Sequence, residues 1–229
     1  MPSKGRTFAH SRRVRLDEVG PDARLRVDAV ARYLQDVASD DWADSGLSND
    51  LTWVVRRTAV RLVEGGRWPM LGEDVTVTTW CGGYGAAWAE RRSSISIDGT
   101  PHVETVALWV PIDRSGRPQR IRDEFRSMYG EACGNRKVSG RVELVEPPEG
   151  AVRRPWSLRK SDLDIVDHVN NAAQWSAVVE VAGSSIGEAV LTHHGPIEEG
   201  DDVTLVDDGS NVWLVVDGDV RVAASFRSA

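Results

Sequence analysis

The sequence predicts an α+β fold in which one unit is written twice, each unit a long helix wrapped by a curved antiparallel sheet. Three observations carry that expectation. The order of elements restarts: strand, loop, helix and four strands are followed, after a stretch rich in glycine and charge, by strand, loop, helix and strands again. A shift of 144 positions lays Val14-Arg15 on Leu158-Arg159, Val19 on Leu163, and Asp36-Val37-Ala38 on Glu180-Val181-Ala182. Hairpin signals separate the apolar runs, at Asp98-Gly99, Asp207-Asp208-Gly209 and Asp217-Gly218. The division expected is 1–135 for the first unit, 136–151 for a linker and 152–229 for the second.

In order, Arg13 to Leu16 reads as a short strand, punctuated by Gly20-Pro21-Asp22. Leu25, Val30, Leu34, Val37, Ala38 and Trp42 recur at helical spacing, and Asp44-Ser45-Gly46 stops the helix. Strands are expected over Trp53 to Val63, Asp74 to Trp80, Ala86 to Ile97 and Val103 to Ile112. A short helix fits Asp123 to Tyr129. Pro147-Pro148 and the glycines around them mark the linker. In the second unit a strand is expected over Arg154 to Lys160. A helix follows with Ala172, Trp175, Val179, Ala182 and Ile186 on one stripe. Later strands are placed at Ala189 to His194, Val203 to Val206, Val212 to Val216 and Val220 to Phe226.

The chemistry concentrates between Ser161 and Asn171. This run holds Asp162, Asp164, Asp167, His168, Asn170 and Asn171 on a strand-to-helix turn, with Asn170 or Asn171 placed to cap the helix. A helix start leaves backbone N–H groups able to receive an oxyanion. Hydrolysis that passes through an oxyanion needs a base or nucleophile, an orienting imidazole and such donors. Asp164 and His168 fit the first two roles. Asp162 and Asp167 read as solvent-facing or loop-stabilising. The bland alternative makes Asp164 a turn residue and His168 a surface residue.

Arg159, Asp162-Leu163-Asp164 and His168-Val169-Asn170-Asn171 together resemble the second-half motif of the plant and bacterial acyl-acyl carrier protein (ACP) thioesterases. Two positions depart: Val166 stands where that family usually has asparagine, and Trp175 where it usually has tyrosine. The resemblance implies a tandem hotdog fold, no cofactor, and a fatty acyl thioester on ACP as substrate, with the first half holding the acyl chain. It also implies a glutamate, often with a cysteine, about thirty positions after the histidine. An ungapped match puts these at Ile197 and Glu198, so Glu198 completes the expected catalytic set of Asp164, His168 and Glu198, with Glu199 next; the alternative reads Pro196 to Asp202 as a hydrophilic turn before a strand. The first half carries Gly20 and Arg24 at the positions equivalent to Asp164 and His168, and so lacks the reactive pair. Hotdog units commonly pair, so a homodimer is implied by analogy.

Other readings were weighed on the residues. An acyl-coenzyme A thioesterase of the same fold and a catalytically degenerate acyl- or carrier-binding protein are the alternatives, the second because of Val166. A double-hotdog hydratase would need an Asn-Pro step that Ile165-Val166-Asp167 lacks. Gly183-Ser184-Ser185-Ile186-Gly187 spells a serine-hydrolase elbow, but a helix precedes it and no histidine follows His194. His193 and His194 alternate across a strand and make a poor metal pair. Cys81 reads as a packed thiol. Nine tryptophans, with Trp53, Trp80, Trp88 and Trp109 on first-half strands, suit a filled core or the wall of an acyl tunnel. The net charge of −7 disfavours nucleic acid as a partner. One of several arginine pairs could steer an acidic carrier. No apolar run reaches membrane-spanning length, and Met1 to Arg13 lacks the apolar core of a secretory signal. A cytoplasmic protein with two reduced thiols is expected.

Overall fold

The computed structural model describes residues 1–48, 52–134, 136–184 and 186–228. The first half comprises β1 (Thr7–Arg13), a 3-10 turn at Leu16–Glu18, α1 (Val27–Ser45), β2 (Thr52–Leu62), β3 (Asp74–Tyr84), β4 (Ala89–Ile97), β5 (Thr100–Ile112) and α2 (Asp123–Cys133). The second comprises β6 (Val152–Trp156), a 3-10 turn at Lys160–Asp162, another at Ala173–Trp175 running into α3 (Ser176–Ala182), then β7 (Ile186–His193), β8 (Val203–Asp207), β9 (Asn211–Val216) and β10 (Asp219–Ser228).

All these strands form one antiparallel sheet, ordered β1-β3-β4-β5-β2-β7-β10-β9-β8-β6. Each half has the same internal order, and the halves meet where β2 pairs with β7, from Arg57↔Thr192 to Arg61↔Glu188. The result is a tandem hotdog. One apolar cluster runs through both halves, from Val30, Tyr33 and Val37 on α1 to Trp175, Val178, Leu205 and Leu214. Burying each such aliphatic side chain contributes about 1.5–3 kcal/mol. The β4–β5 and β9–β10 hairpins turn on Asp98-Gly99 and Asp217-Gly218, with φ of 49° and 77°, and 52° and 88°. That is the left-handed pair a two-residue hairpin requires.

Four expectations need correction. The first strand lies earlier than Arg13 to Leu16. β1 is a polar edge strand whose Thr7-Phe8-Ala9-His10-Ser11-Arg12-Arg13 run carries no apolar alternation, yet it pairs with β3 along its whole length. β6 ends at Trp156, so Arg159 sits in the following loop. The second-half helix is short, three residues of 3-10 and seven of α, against nineteen in α1. Gly183 at φ 62° ends it, and Ile186 opens β7 instead of extending the stripe. Ser185, the middle of the elbow-like run, lies outside the described residues, as do Asn135 and Ala229 at the ends of the expected segments.

The segment between α2 and β6 is tied down by two indoles. Trp88 Nε1 donates to Val138 O (3.0 Å) and Trp213 Nε1 to Val145 O (2.7 Å). The Trp88 ring lies so close to Gly85 and Gly140 that a β-carbon there would sit 2.1 and 2.5 Å from it. Among the described residues, no helix is long and apolar enough to cross a membrane.

Candidate active site

The turn carrying Asp164 and His168 is built by its own backbone. Asp162 Oδ2 accepts the Arg159 N–H (2.9 Å), which closes the 3-10 turn. The Asn170 N–H donates to Asp162 O (2.7 Å) and the Asp164 N–H to His168 O (2.8 Å). Asp167 turns the chain at φ 59°, a conformation aspartate tolerates better than most residues. Asp164 Oδ1 accepts N–H bonds from Val166 (3.0 Å) and, weakly, from His168 (3.4 Å). One carboxylate oxygen thus braces the turn.

The same turn recurs in the first half, bond for bond. Glu18 Oε2 accepts the Arg15 N–H, Arg26 N–H donates to Glu18 O, Gly20 N–H donates to Arg24 O, and Ala23 stands at φ 62°. Every one of these lies 144 positions before its counterpart, and the bridges Val19↔Leu25 and Leu163↔Val169 obey the same shift. The duplicated backbone holds Gly20 and Arg24 where the second half holds Asp164 and His168.

Asp164 faces a cavity of about 750 Å³, within the range of small-ligand sites. Asp164, Ile165, Asn170 and Asn171 are its second-half contribution, and the rest of its wall comes from the first half. Trp42, Trp53, Trp109 and Phe125 form the apolar wall, with Cys81, Ala89 and Tyr129. Of the four tryptophans expected on first-half strands, Trp53 and Trp109 line the cavity, whereas Trp88 falls in the loop before β4 and bonds the segment between α2 and β6. Cys81 lies 3.2 Å from Cys133, sulfur to sulfur, and neither is in a disulfide. The hydrogen bond from Cys133 and burial both push the Cys81 thiol up, which disfavours its thiolate.

His168 takes a different neighbour. Its Nε2 lies 3.8 Å from Glu198 Oε1, and the two residues form a backbone bridge. His168 and Glu198 are therefore brought together, while the Asp164 carboxylate meets the His168 backbone N–H and not its ring, and Asp164 lines the cavity. Glu199 pairs instead with Lys160. Ile197 is buried, and its carbonyl accepts the Val169 N–H (2.8 Å). Neither asparagine caps a helix: Ala172 precedes the 3-10 turn and Trp175 precedes α3, neither with a side-chain cap, and Asn170 Oδ1 instead accepts the Ala172 N–H (2.8 Å) in the turn before them. Asn171 lines the cavity.

Two polar groupings near the site had no sequence signature. Asp41 is 1 % exposed and holds Arg6 Nε and Arg91 Nη1, each at 2.7 Å, and the Tyr129 hydroxyl at 3.0 Å. Arg91 and Tyr129 also face the cavity. His193 is buried on β7, with Nδ1 2.7 Å from Gln174 Oε1. Burial, then the nearby Arg56 and His194, push its pKa down to about 3. The unfolded value is about 6.5, so the folded state refuses a proton that the unfolded chain takes up. The resulting stability is complete above about pH 6.5 and is lost as pH falls towards 3, at about 1.4 kcal/mol per pH unit. Thermal melts between pH 7 and 5 should therefore fall more steeply for the parent protein than for His193→Gln.

Comparison with known proteins agrees with this architecture. Residues 5–129 match the profile of the acyl-ACP thioesterase N-terminal domain, and residues 145–211 that of the C-terminal domain. An uncharacterized protein of Mycobacterium tuberculosis is 29 % identical over 99 % of this chain and 94 % of its own length. The chloroplastic oleoyl-acyl carrier protein thioesterase of Coriandrum sativum is 28 % identical over 79 % of this chain, which spans about half (54 %) of that protein. The solved 12:0-ACP thioesterase of Umbellularia californica superposes with a TM-score of 0.79, at 24 % identity, covering 97 % of this chain and 98 % of that one. With both family profiles matched in order along the chain, on a tandem hotdog of the same shape, the protein belongs to the acyl-ACP thioesterase family.

Proposed function

We propose that this protein hydrolyses fatty acyl thioesters carried on ACP, releasing free fatty acid and carrier thiol in fatty acid biosynthesis. The observation that carries the reading is Asp164 in the lining of a tryptophan-walled cavity, on the turn that precedes the second-half helix. In this reading residues 1–135 shape the acyl pocket, residues 152–229 carry the reactive groups, and 136–151 connect them. Asp164 accepts a proton from water as the water oxygen bonds to the thioester carbonyl carbon. The carbonyl becomes an oxyanion, received by N–H donors at the turn. The carbon–sulfur bond then breaks, and the sulfur leaves as the thiol by taking up the proton. His168, with Glu198 beside it, orients the water or the carbonyl. Each methylene buried in the apolar cavity contributes about 0.8 kcal/mol, so acyl length should control turnover strongly.

The carrier is tested by a thiol-release assay that compares the same acyl groups on ACP and on coenzyme A. Higher kcat/KM with ACP is expected at every acyl length accepted. Faster turnover of the coenzyme A esters would replace the proposed carrier, and binding without thiol release would leave an acyl-binding protein.

A further inference from the structure

A chain of hydrogen bonds fixes the state of His193. Gln174 Nε2 donates to Val169 O at 2.9 Å, so the amide cannot turn over without losing that bond, and its Oε1 faces His193. Oε1 can only accept, so His193 carries its proton on Nδ1. The ring is buried and neutral, and its Nε2 is consequently a bare acceptor. Among the described residues nothing donates to that nitrogen. An unmatched buried acceptor costs about 1–3 kcal/mol.

The ring borders a side void of about 30 Å³, roughly the space of one water molecule or one hydroxyl group. Thr58 also borders it, and Gln35, Arg91, Trp109 and Asn171 are shared between this void and the large cavity. Asn171 lines that cavity with Asn170 and Asp164 of the same turn. The void thus adjoins the large cavity and shares Asn171 with the turn that carries Asp164.

We propose that this void is a subsite for a hydroxyl group borne by the first few carbons of the acyl chain, with His193 Nε2 as its acceptor. The proposal rests on the thioesterase reading above and narrows its substrate class to hydroxyacyl thioesters. An unsubstituted chain offers the nitrogen nothing to accept, whereas a hydroxyl on the chain donates to it and fills the void.

The test compares 3-hydroxydodecanoyl and dodecanoyl thioesters of ACP, using the full chain. The parent protein is expected to show a kcat/KM about tenfold higher on the hydroxylated substrate, as one buried hydrogen bond would give. His193→Phe keeps a ring but no nitrogen, and should bring the ratio close to one. His193→Gln returns an acceptor and should recover part of it. Both substrates meet the same loop in each variant, so damage relayed through Gln174 cancels in the ratio. Equal kcat/KM in the parent protein would overturn the subsite and leave the void to water. An unchanged ratio in His193→Phe would overturn His193 as the reader. Absence of hydrolysis on both substrates would count against the thioesterase reading alone. Calorimetric binding of the two free acids to the parent protein then decides the subsite: tighter binding of the hydroxy acid supports it, and equal affinity removes it. The same measurement serves if His193→Phe does not fold.

Discussion

Asp164→Asn is expected to lower thiol release by about 10²–10⁴-fold while leaving the fold intact, the range seen when a positioned general base is removed. The substitution separates the two roles this residue combines. Its Oδ1 braces the turn by accepting from Val166 and His168, and an amide oxygen accepts equally well. What asparagine lacks is a carboxylate able to take a proton from water or attack the carbonyl. Unchanged melting with lost turnover would identify chemistry, and lost melting would identify a turn brace. Turnover within threefold of the parent would show that another group does the work, with Glu198 beside His168 the next to replace.

Asp41→Ala is expected to destabilise the protein by about 3–5 kcal/mol, the usual cost of removing one partner from a buried ionic cluster. Asp41 is 1 % exposed, and the Arg6 and Arg91 side chains around it are only 18 % and 16 % exposed. Without the carboxylate, two guanidinium groups remain largely out of water with their nearest shared counter-charge gone, and the Tyr129 hydroxyl loses its acceptor. Urea unfolding followed by tryptophan fluorescence measures the loss as a lower midpoint. A shift worth less than about 1 kcal/mol would mean that water reaches the arginines and replaces the carboxylate. Since Arg91 and Tyr129 also form part of the cavity wall, the variant should discriminate less sharply among acyl lengths.

The duplication was legible because it was written in local signals. Val19 and Leu163 are apolar at equivalent points, the hairpins carry Asp-Gly, and the 144-residue shift reappears as identical backbone bonds in both turns. Asp164 and His168 could be singled out because the turn packs its polar residues within one short run. Their directions could not be read in advance: the antiparallel bridge from His168 to Glu198 draws the imidazole to that carboxylate, and the Val166 and His168 N–H groups hold one Asp164 oxygen on the turn that lines the cavity. β1 was missed because edge pairing asks for backbone, not for an apolar face. The Gln174–His193 and Asp41–Arg91 contacts join residues 19 and 50 positions apart. Such partners have no periodicity, and each residue alone reads as an ordinary polar position on a helix or strand.

The seam from Arg57↔Thr192 to Arg61↔Glu188 has a mechanical consequence. Because the last strand in each half's order, β2 and β7, is zipped to the other, cleavage of the connecting segment would not free the halves. A protease nicking the peptide near Glu143 should yield two fragments in a denaturing gel that still elute together as a single particle under native conditions.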